Sequence, residues 1–114
     1  MSRGRPRKVA DQIQRELSEV LRRDLQDPRL NLVTLTAVDV APDLSHALVY
    51  FTCLDAAQVE PALAALRRAA GLMRRALSKR LALYVTPELR FRYDESVERG
   101  ARLAQLIDSA QRKS

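Results

Sequence analysis

The chain has 114 residues, a length that suits one domain, and its hydrophobic content of 46% is ordinary for a globular protein. Its net charge of +6 at pH 7 favours a polyanionic partner such as a nucleic acid. No apolar run approaches the roughly 20 residues that span a bilayer, so we expect no membrane partner. The one cysteine, Cys53, excludes an internal disulfide and fits a reducing compartment, which predicts a cytoplasmic protein.

The first eight residues hold four positive charges and lack an apolar anchor, so we predict a flexible basic arm over residues 1–8. Residues 9–110 are predicted to form the single folded domain. A long helix opens this domain, because apolar residues recur on one helical face as far as Asp27-Pro28, where the proline ends the pattern. The members of this face are Val9, Ile13, Leu17, Val20, Leu21 and Leu25.

Two segments rich in β-forming residues, 32–41 and 46–54, flank the turn residues Pro42-Asp43-Leu44-Ser45 and predict an antiparallel hairpin. The second segment alternates cleanly between an apolar and a more polar face. The first segment changes parity part-way along, and a bulge near Ala37–Asp39 would reconcile its two halves.

Residues 61–87 contain no acidic residue and carry a charge of +6, equal to that of the whole protein. Solvated helices usually mix opposite charges four residues apart, so an acid-free helical face favours contact with phosphates. We predict that the cations of this segment lie opposite its apolar stripe and contact RNA. They are Arg67, Arg68, Arg74, Arg75, Lys79 and Arg80.

Gly71 lies in the middle of this helical pattern, directly after Ala69 and Ala70. A glycine inside a helix costs about 1 kcal/mol relative to alanine, so we expect a kink or a close approach here. A bend would bring the second half of the helix against the sheet. We expect a leucine side chain at Gly71 to clash at that bend and to destabilise the protein.

Residues 88–94 alternate again, with Arg90 and Arg92 pointing outward between inward apolar residues. Asp94 or Ser96 can begin a last helix. The order is therefore αββααβ followed by a C-terminal helix. This order predicts an α+β domain with a three-stranded sheet and its helices on one face.

Several motifs, in this order and spacing, resemble the ribosome-binding factor A family over about residues 8–107. In the first half they are Asp27-Pro28-Arg29-Leu30, Val38-Asp39-Val40 and residues 42–47. In the second half they are Ala69-Ala70-Gly71, residues 87–91 and Tyr93-Asp94-Glu95-Ser96, followed by Gly100 in the last helix. The resemblance depends on the whole series, since any one motif alone is weak.

The resemblance implies a type II KH-like domain that acts as a bacterial assembly factor for the small ribosomal subunit. It implies binding of the free 30S subunit through 16S rRNA, support of 16S rRNA maturation, and importance for growth in the cold. It also implies a helix-kink-helix at Ala69-Ala70-Gly71, in place of the Gly-x-x-Gly loop with which other KH domains clamp nucleotides. We expect the protein to act as a monomer.

Four further residues are candidates for RNA contact: Arg90 and Arg92 on the last strand, and Arg7 and Lys8 in the arm. A cross-strand charge role for the first pair and a solubility role for the arm are the alternatives. A general KH-type module for single-stranded RNA or for DNA is an alternative function. A small RNA-processing enzyme is another, but we predict no enzyme, cofactor, metal or small-molecule substrate, because the lone His46 has no catalytic or metal-binding partner in the sequence.

Overall fold

The computed structural model describes residues 4–81 and 85–96. Helix α1 spans Gly4–Arg23, strands β1 and β2 span Val33–Val40 and His46–Cys53, helix α2 spans Val59–Arg80, and strand β3 spans Glu88–Tyr93. Short 3-10 turns lie before β1 and before α2. The three strands form one sheet in the order β1-β2-β3. The predicted α+β class with a three-stranded sheet is therefore confirmed.

Helix α1 begins at Gly4 and not at Val9, which corrects the expected arm: residues 4–8 belong to the helix. Pro6 lies within the first turn, where backbone N–H groups have no acceptor inside the helix, so the proline loses no hydrogen bond there. Residues 1–3 lie outside the described part of the chain, as does the predicted domain boundary at residue 110.

The apolar face of α1 packs against the sheet, and Ile13, Leu17 and Val20 are completely buried. The helix ends at Arg23, before the predicted stop at Pro28, and the N–H groups of the next two residues both donate to the Val20 carbonyl. The Asp27 carboxylate then accepts a hydrogen bond of 3.0 Å from the Arg29 N–H and starts a 3-10 turn at Pro28. The helix face was thus predicted correctly and its end only roughly.

Strands β1 and β2 form the predicted antiparallel hairpin. Leu35 pairs with Phe51 and Ala37 pairs with Tyr50, so the extra residue of the bulge is Thr36. The bulge predicted near Ala37–Asp39 is therefore confirmed, and it lies at the preceding residue. The bulge changes the parity of β1, and as a result Leu35 and the later Val38 are both buried.

Strand β3 lies parallel to β2, with Leu89 beside Ala47 and Phe91 beside Val49. Its alternation is as predicted: Leu89 and Phe91 are buried, whereas the arginines between and after them are exposed. The rings of Phe51 and Tyr93 meet edge to face, with centroids 5.9 Å apart. The parallel pairing requires a long connection between the two strands, and α2 supplies it.

Helix α2 is one continuous element from Val59 to Arg80, so the division into two helices at Ala69-Ala70-Gly71 is not present. A Cβ atom built on Gly71 would have no neighbour within 4 Å, so the backbone at Gly71 has room for the first atom of a side chain. The expected clash of a leucine side chain stays a prediction. The helix continues because buried residues on both sides of Gly71, among them Leu66 and Met73, outweigh about 1 kcal/mol of propensity.

The C-terminal helix predicted from Val97 onward lies outside the described residues. The described chain ends at residues 95 and 96 in helical conformation, and the Asp94 carboxylate accepts the Ser96 N–H at 2.9 Å. Neither helix in the described ranges combines the length and the apolar content that a membrane span needs.

Replacing Gly71 with alanine should raise the free energy of unfolding by about 1 kcal/mol, because alanine favours a helix and its Cβ meets open space. Urea denaturation followed by circular dichroism measures the change. Ala64→Gly, the reverse substitution in the same helix, should lower the free energy of unfolding by about 1 kcal/mol. A loss of stability in Gly71→Ala would mean that the glycine backbone is needed.

Asp94→Asn should lower the melting temperature at neutral pH. The Asp94 carboxylate accepts hydrogen bonds from Ser96 and, at 2.6 Å, from the Thr36 hydroxyl, and these bonds hold the pKa of the carboxyl below its usual 3.8. A lowered pKa stabilises the fold above pH 3.8, and that stabilisation is lost as the pH falls further. The melting temperatures of Asp94→Asn and wild type should therefore converge in acid; a gap that is independent of pH would contradict this role.

Candidate nucleic-acid interface

Helix α2 separates an apolar face from a cationic one. Ala62, Leu66, Met73 and Leu77 have no exposed surface, because they face the sheet and α1. The six cations predicted to lie on the opposite face are all exposed. The outward orientation is confirmed for Arg67, Arg68, Arg74, Arg75 and Lys79. The side chain of Arg80, 29% exposed, instead turns towards α1. Contact of these cations with RNA stays a prediction.

One side of α2 forms a groove with the edge strand β3. This β3-side groove, of about 490 Å³, is lined by Leu63, Arg67 and Ala70 of α2 and by residues 89–93 of β3. It brings Arg67 together with the exposed Arg90 and Arg92, which are more than twenty residues away in the chain. Three guanidinium groups above an apolar floor can hold phosphate oxygens in bidentate geometry while the floor contacts a ribose or a base.

The other side of α2 forms a second groove with the end of α1. This α1-side groove, of about 390 Å³, is lined by Leu72, Arg75, Lys79 and Arg80 with Ala76, and by Asp24 at the end of α1. Arg75 and Lys79 have no hydrogen bond or ion pair with any side chain in residues 4–81 and 85–96. Their charges are thus available to an outside anion.

Arg80 differs from the other cations of α2 because its charge is already paired. Its guanidinium lies 3.2 Å from a carboxylate oxygen of Glu16 and 3.6 Å from one of Asp24. Glu16 belongs to α1 and Asp24 follows it directly, so Arg80 links α2 to α1. The structure therefore supports a scaffold role for Arg80 better than the predicted role in RNA contact.

Arg74 is also engaged within the protein. Its Nε and Nη2 atoms donate hydrogen bonds of 3.2 and 2.8 Å to the Thr86 carbonyl, just before β3. Next to Thr86, Pro87 is completely buried. Arg74 thus holds the entry of β3 against α2, and only its remaining N–H groups are available to a ligand.

The remaining predicted contacts have different surroundings. Arg68 is exposed and lies near Asp27, at the start of the 3-10 turn that follows α1. Hydrogen bonds from Arg29 lower the pKa of Asp27, and the nearby charge of Arg68 lowers it a little further. Arg90 is 3.8 Å from the Glu88 carboxylate, a weak exposed pair. Lys8 is exposed on the first turns of α1, not on an arm, and the side chain of Arg7 is outside the described residues.

Within the described ranges, no three His, Cys, Asp or Glu side chains come together as a metal site would require. What the described surface does bring together is positive charge: the two arginine-lined grooves and, on α2, the exposed Arg68 and Arg74.

The family profile of ribosome-binding factor A matches residues 5–107. The chain belongs to the ribosome-binding factor A family. The chain is 47% identical over 111 residues to ribosome-binding factor A of Azoarcus sp. strain BH72, a match that covers 96% of this chain and 88% of the relative. Because the members of this family are non-catalytic assembly factors, the chain is not an enzyme.

Solved structures agree with this assignment. The crystal structure of ribosome-binding factor A from Thermus thermophilus matches with a TM-score of 0.71 and 34% identity, covering 77% of this chain and 94% of that chain. A homology model of the Thermus thermophilus protein, fitted into a cryo-EM map of its complex with the 30S subunit, matches with a TM-score of 0.65 and 35% identity over 75% of this chain and 91% of that chain. These neighbours have a KH-like fold, which confirms the predicted fold class.

Arg80→Ala should lower the free energy of unfolding by about 0.5–1 kcal/mol at low salt, because two carboxylates lose their partner. Arg75→Ala removes the same kind of side chain from the same helix without breaking an ion pair, and should stay within about 0.5 kcal/mol of wild type. Urea denaturation at low salt and at about 1 M salt measures both variants. High salt should remove most of the difference; equal effects at low salt would contradict the scaffold role.

Proposed function

We propose that this protein binds the free 30S ribosomal subunit through its 16S rRNA and assists maturation of that RNA as a non-catalytic factor. The observation that carries the proposal is the match, over three quarters of the chain, to the Thermus thermophilus protein fitted into a map of a 30S complex. The arginine-lined grooves supply a physical means of binding.

The cationic face of α2 suits a folded RNA backbone. Exposed guanidinium groups bind phosphate oxygens bidentately, and each neutralised phosphate releases counterions, so affinity falls as salt rises. The cations that contribute most are those that line a groove and have no partner in the described residues: Arg67 and Arg92 in the β3-side groove, and Arg75 and Lys79 in the α1-side groove. Arg68 and Arg90 extend the surface, and Lys8 and Arg7 do so from α1.

The proposed support of 16S rRNA maturation follows from binding alone. A factor that binds one local fold of an RNA more tightly than its alternatives shifts the population towards that fold. Trapped RNA structures rearrange more slowly in the cold, so the same factor would matter most at low temperature. We further propose that the protein acts in the cytoplasm as a monomer.

In a sucrose gradient, the purified protein should sediment with free 30S subunits and not with assembled 70S ribosomes. The measurement uses separated subunits and whole ribosomes at equal concentrations. Equal occupancy of 30S and 70S particles would contradict the proposed preference for the free subunit.

The double variant Arg67→Glu with Arg75→Glu, one change in each groove, should weaken binding to 30S subunits by about tenfold or more. The matched control is Arg15→Glu with Arg22→Glu, which changes the net charge equally on the exposed face of α1, outside both grooves. The control should retain binding within about threefold. Comparable losses in the two variants, with both melting normally, would indicate that net charge and not the grooves determines binding.

A further inference from the structure

The two grooves beside α2 are separate features of the surface. The β3-side groove is lined by residues of β3, β2 and the first half of α2, and the α1-side groove by residues of the second half of α2 and by Asp24, directly after α1. They have no lining residue in common. Each has its own cations, so each can neutralise phosphates independently of the other.

The geometry of α2 directs these cations apart. Arg67 and Arg75 are eight positions apart in α2. At about 100° and 1.5 Å per residue, their Cβ directions diverge by about 80° and their positions by about 12 Å along the axis. Lys79, four residues further on, diverges from Arg67 by about 120°. Arg67 therefore points towards β3, whereas Arg75 and Lys79 point towards α1.

The exposed crest of α2 divides the two grooves. Gly71 and Ser78 lie on this crest, about two helical turns apart, and both are exposed. Arg74, on the β3 side of the crest, donates to the Thr86 carbonyl, and Arg80 is paired with acids of the α1 side. An RNA strand bound in one groove would have to cross the exposed side of α2 to reach the other groove.

Each groove holds two cations that have no partner in residues 4–81 and 85–96. In the β3-side groove these are Arg67 and Arg92, and in the α1-side groove they are Arg75 and Lys79. Apolar side chains accompany them in both cases: Leu63 in the first groove and the partly exposed Leu72 in the second. Both grooves thus offer the same chemistry, a phosphate clamp beside a surface for a ribose.

We propose that the two grooves bind two separate segments of folded RNA at the same time, so that one domain bridges them. This inference rests on the proposed function, because it takes RNA as the ligand. It adds a distinct activity: the protein holds two parts of an RNA near each other on either side of α2.

The test uses two non-complementary RNA hairpins, one immobilised on beads and one fluorescently labelled. Wild-type protein should retain the labelled hairpin on the beads, and sedimentation should find one protein with two hairpins. Arg67→Glu with Arg92→Glu, and Arg75→Glu with Lys79→Glu, should each still bind one hairpin but retain the second at least tenfold less. Arg15→Glu with Arg22→Glu is the charge-matched control and should retain it like wild type.

Three outcomes would overturn the bridging proposal. The first is that wild type binds one hairpin and never a second. The second is that either groove variant abolishes binding of the first hairpin, which would assign both grooves to one RNA segment. The third is that bridging requires two protein molecules. Sedimentation with 30S subunits is measured on the same variants. Retained 30S binding without bridging rejects this inference alone, whereas loss of 30S binding by wild type would reject the proposed function. Normal melting of each variant excludes misfolding as the cause.

Discussion

The burial of one face of α2 is the constraint on which the rest of the structure depends. Leu66, Met73 and Leu77 are completely buried between α1 and the sheet, and burial of each contributes about 1.5–3 kcal/mol. A helix repeats every 3.6 residues, so holding these three inward leaves the residues of the opposite face in water. The cations of α2 are exposed for this reason, and the same packing places one side of the helix against β3 and the other against α1. The binding surface is a consequence of the core.

The sheet completes that surface. Strand β3 returns parallel to β2, which places Arg90 and Arg92 at an edge of the sheet beside the first half of α2. The bulge at Thr36 turns β1 so that Thr36 bonds to Asp94, and the backbone N–H of Asp94 donates to the Phe51 carbonyl at 2.7 Å. The end of β3 is thereby fixed to both other strands. A groove wall held in this way needs little reordering when a ligand binds, which lowers the entropic cost of association.

Some cations of α2 stabilise the fold through contacts within the protein, and others have no such contact and can bind a partner. Arg80 is paired with Glu16 and Asp24, and Arg74 bonds to the Thr86 carbonyl, so these two hold α2 to α1 and to the entry of β3. Arg75 and Lys79 have no such partner in the described residues, although they lie on the same helix. Unpaired like charges repel one another and gain nothing for the folded state, so their natural complement is a polyanion. A count of charges along the helix does not distinguish the two groups.

The sequence by itself determined the local elements and the family. The period of its apolar residues predicted the face of α1, the hairpin, the alternation of β3 and the outward cations of α2, because these features depend on which residues can be buried in a helix or a strand. It misplaced the start of α1. It also predicted two helices that meet in a kink at Gly71, where the structure has one helix, since propensity alone does not include the burial on both sides of that glycine. Only the tertiary structure decided that Arg67 shares a groove with Arg92 and that Arg80 is paired. Those contacts join residues far apart in the chain, and packing between elements, which has no local signal, creates them.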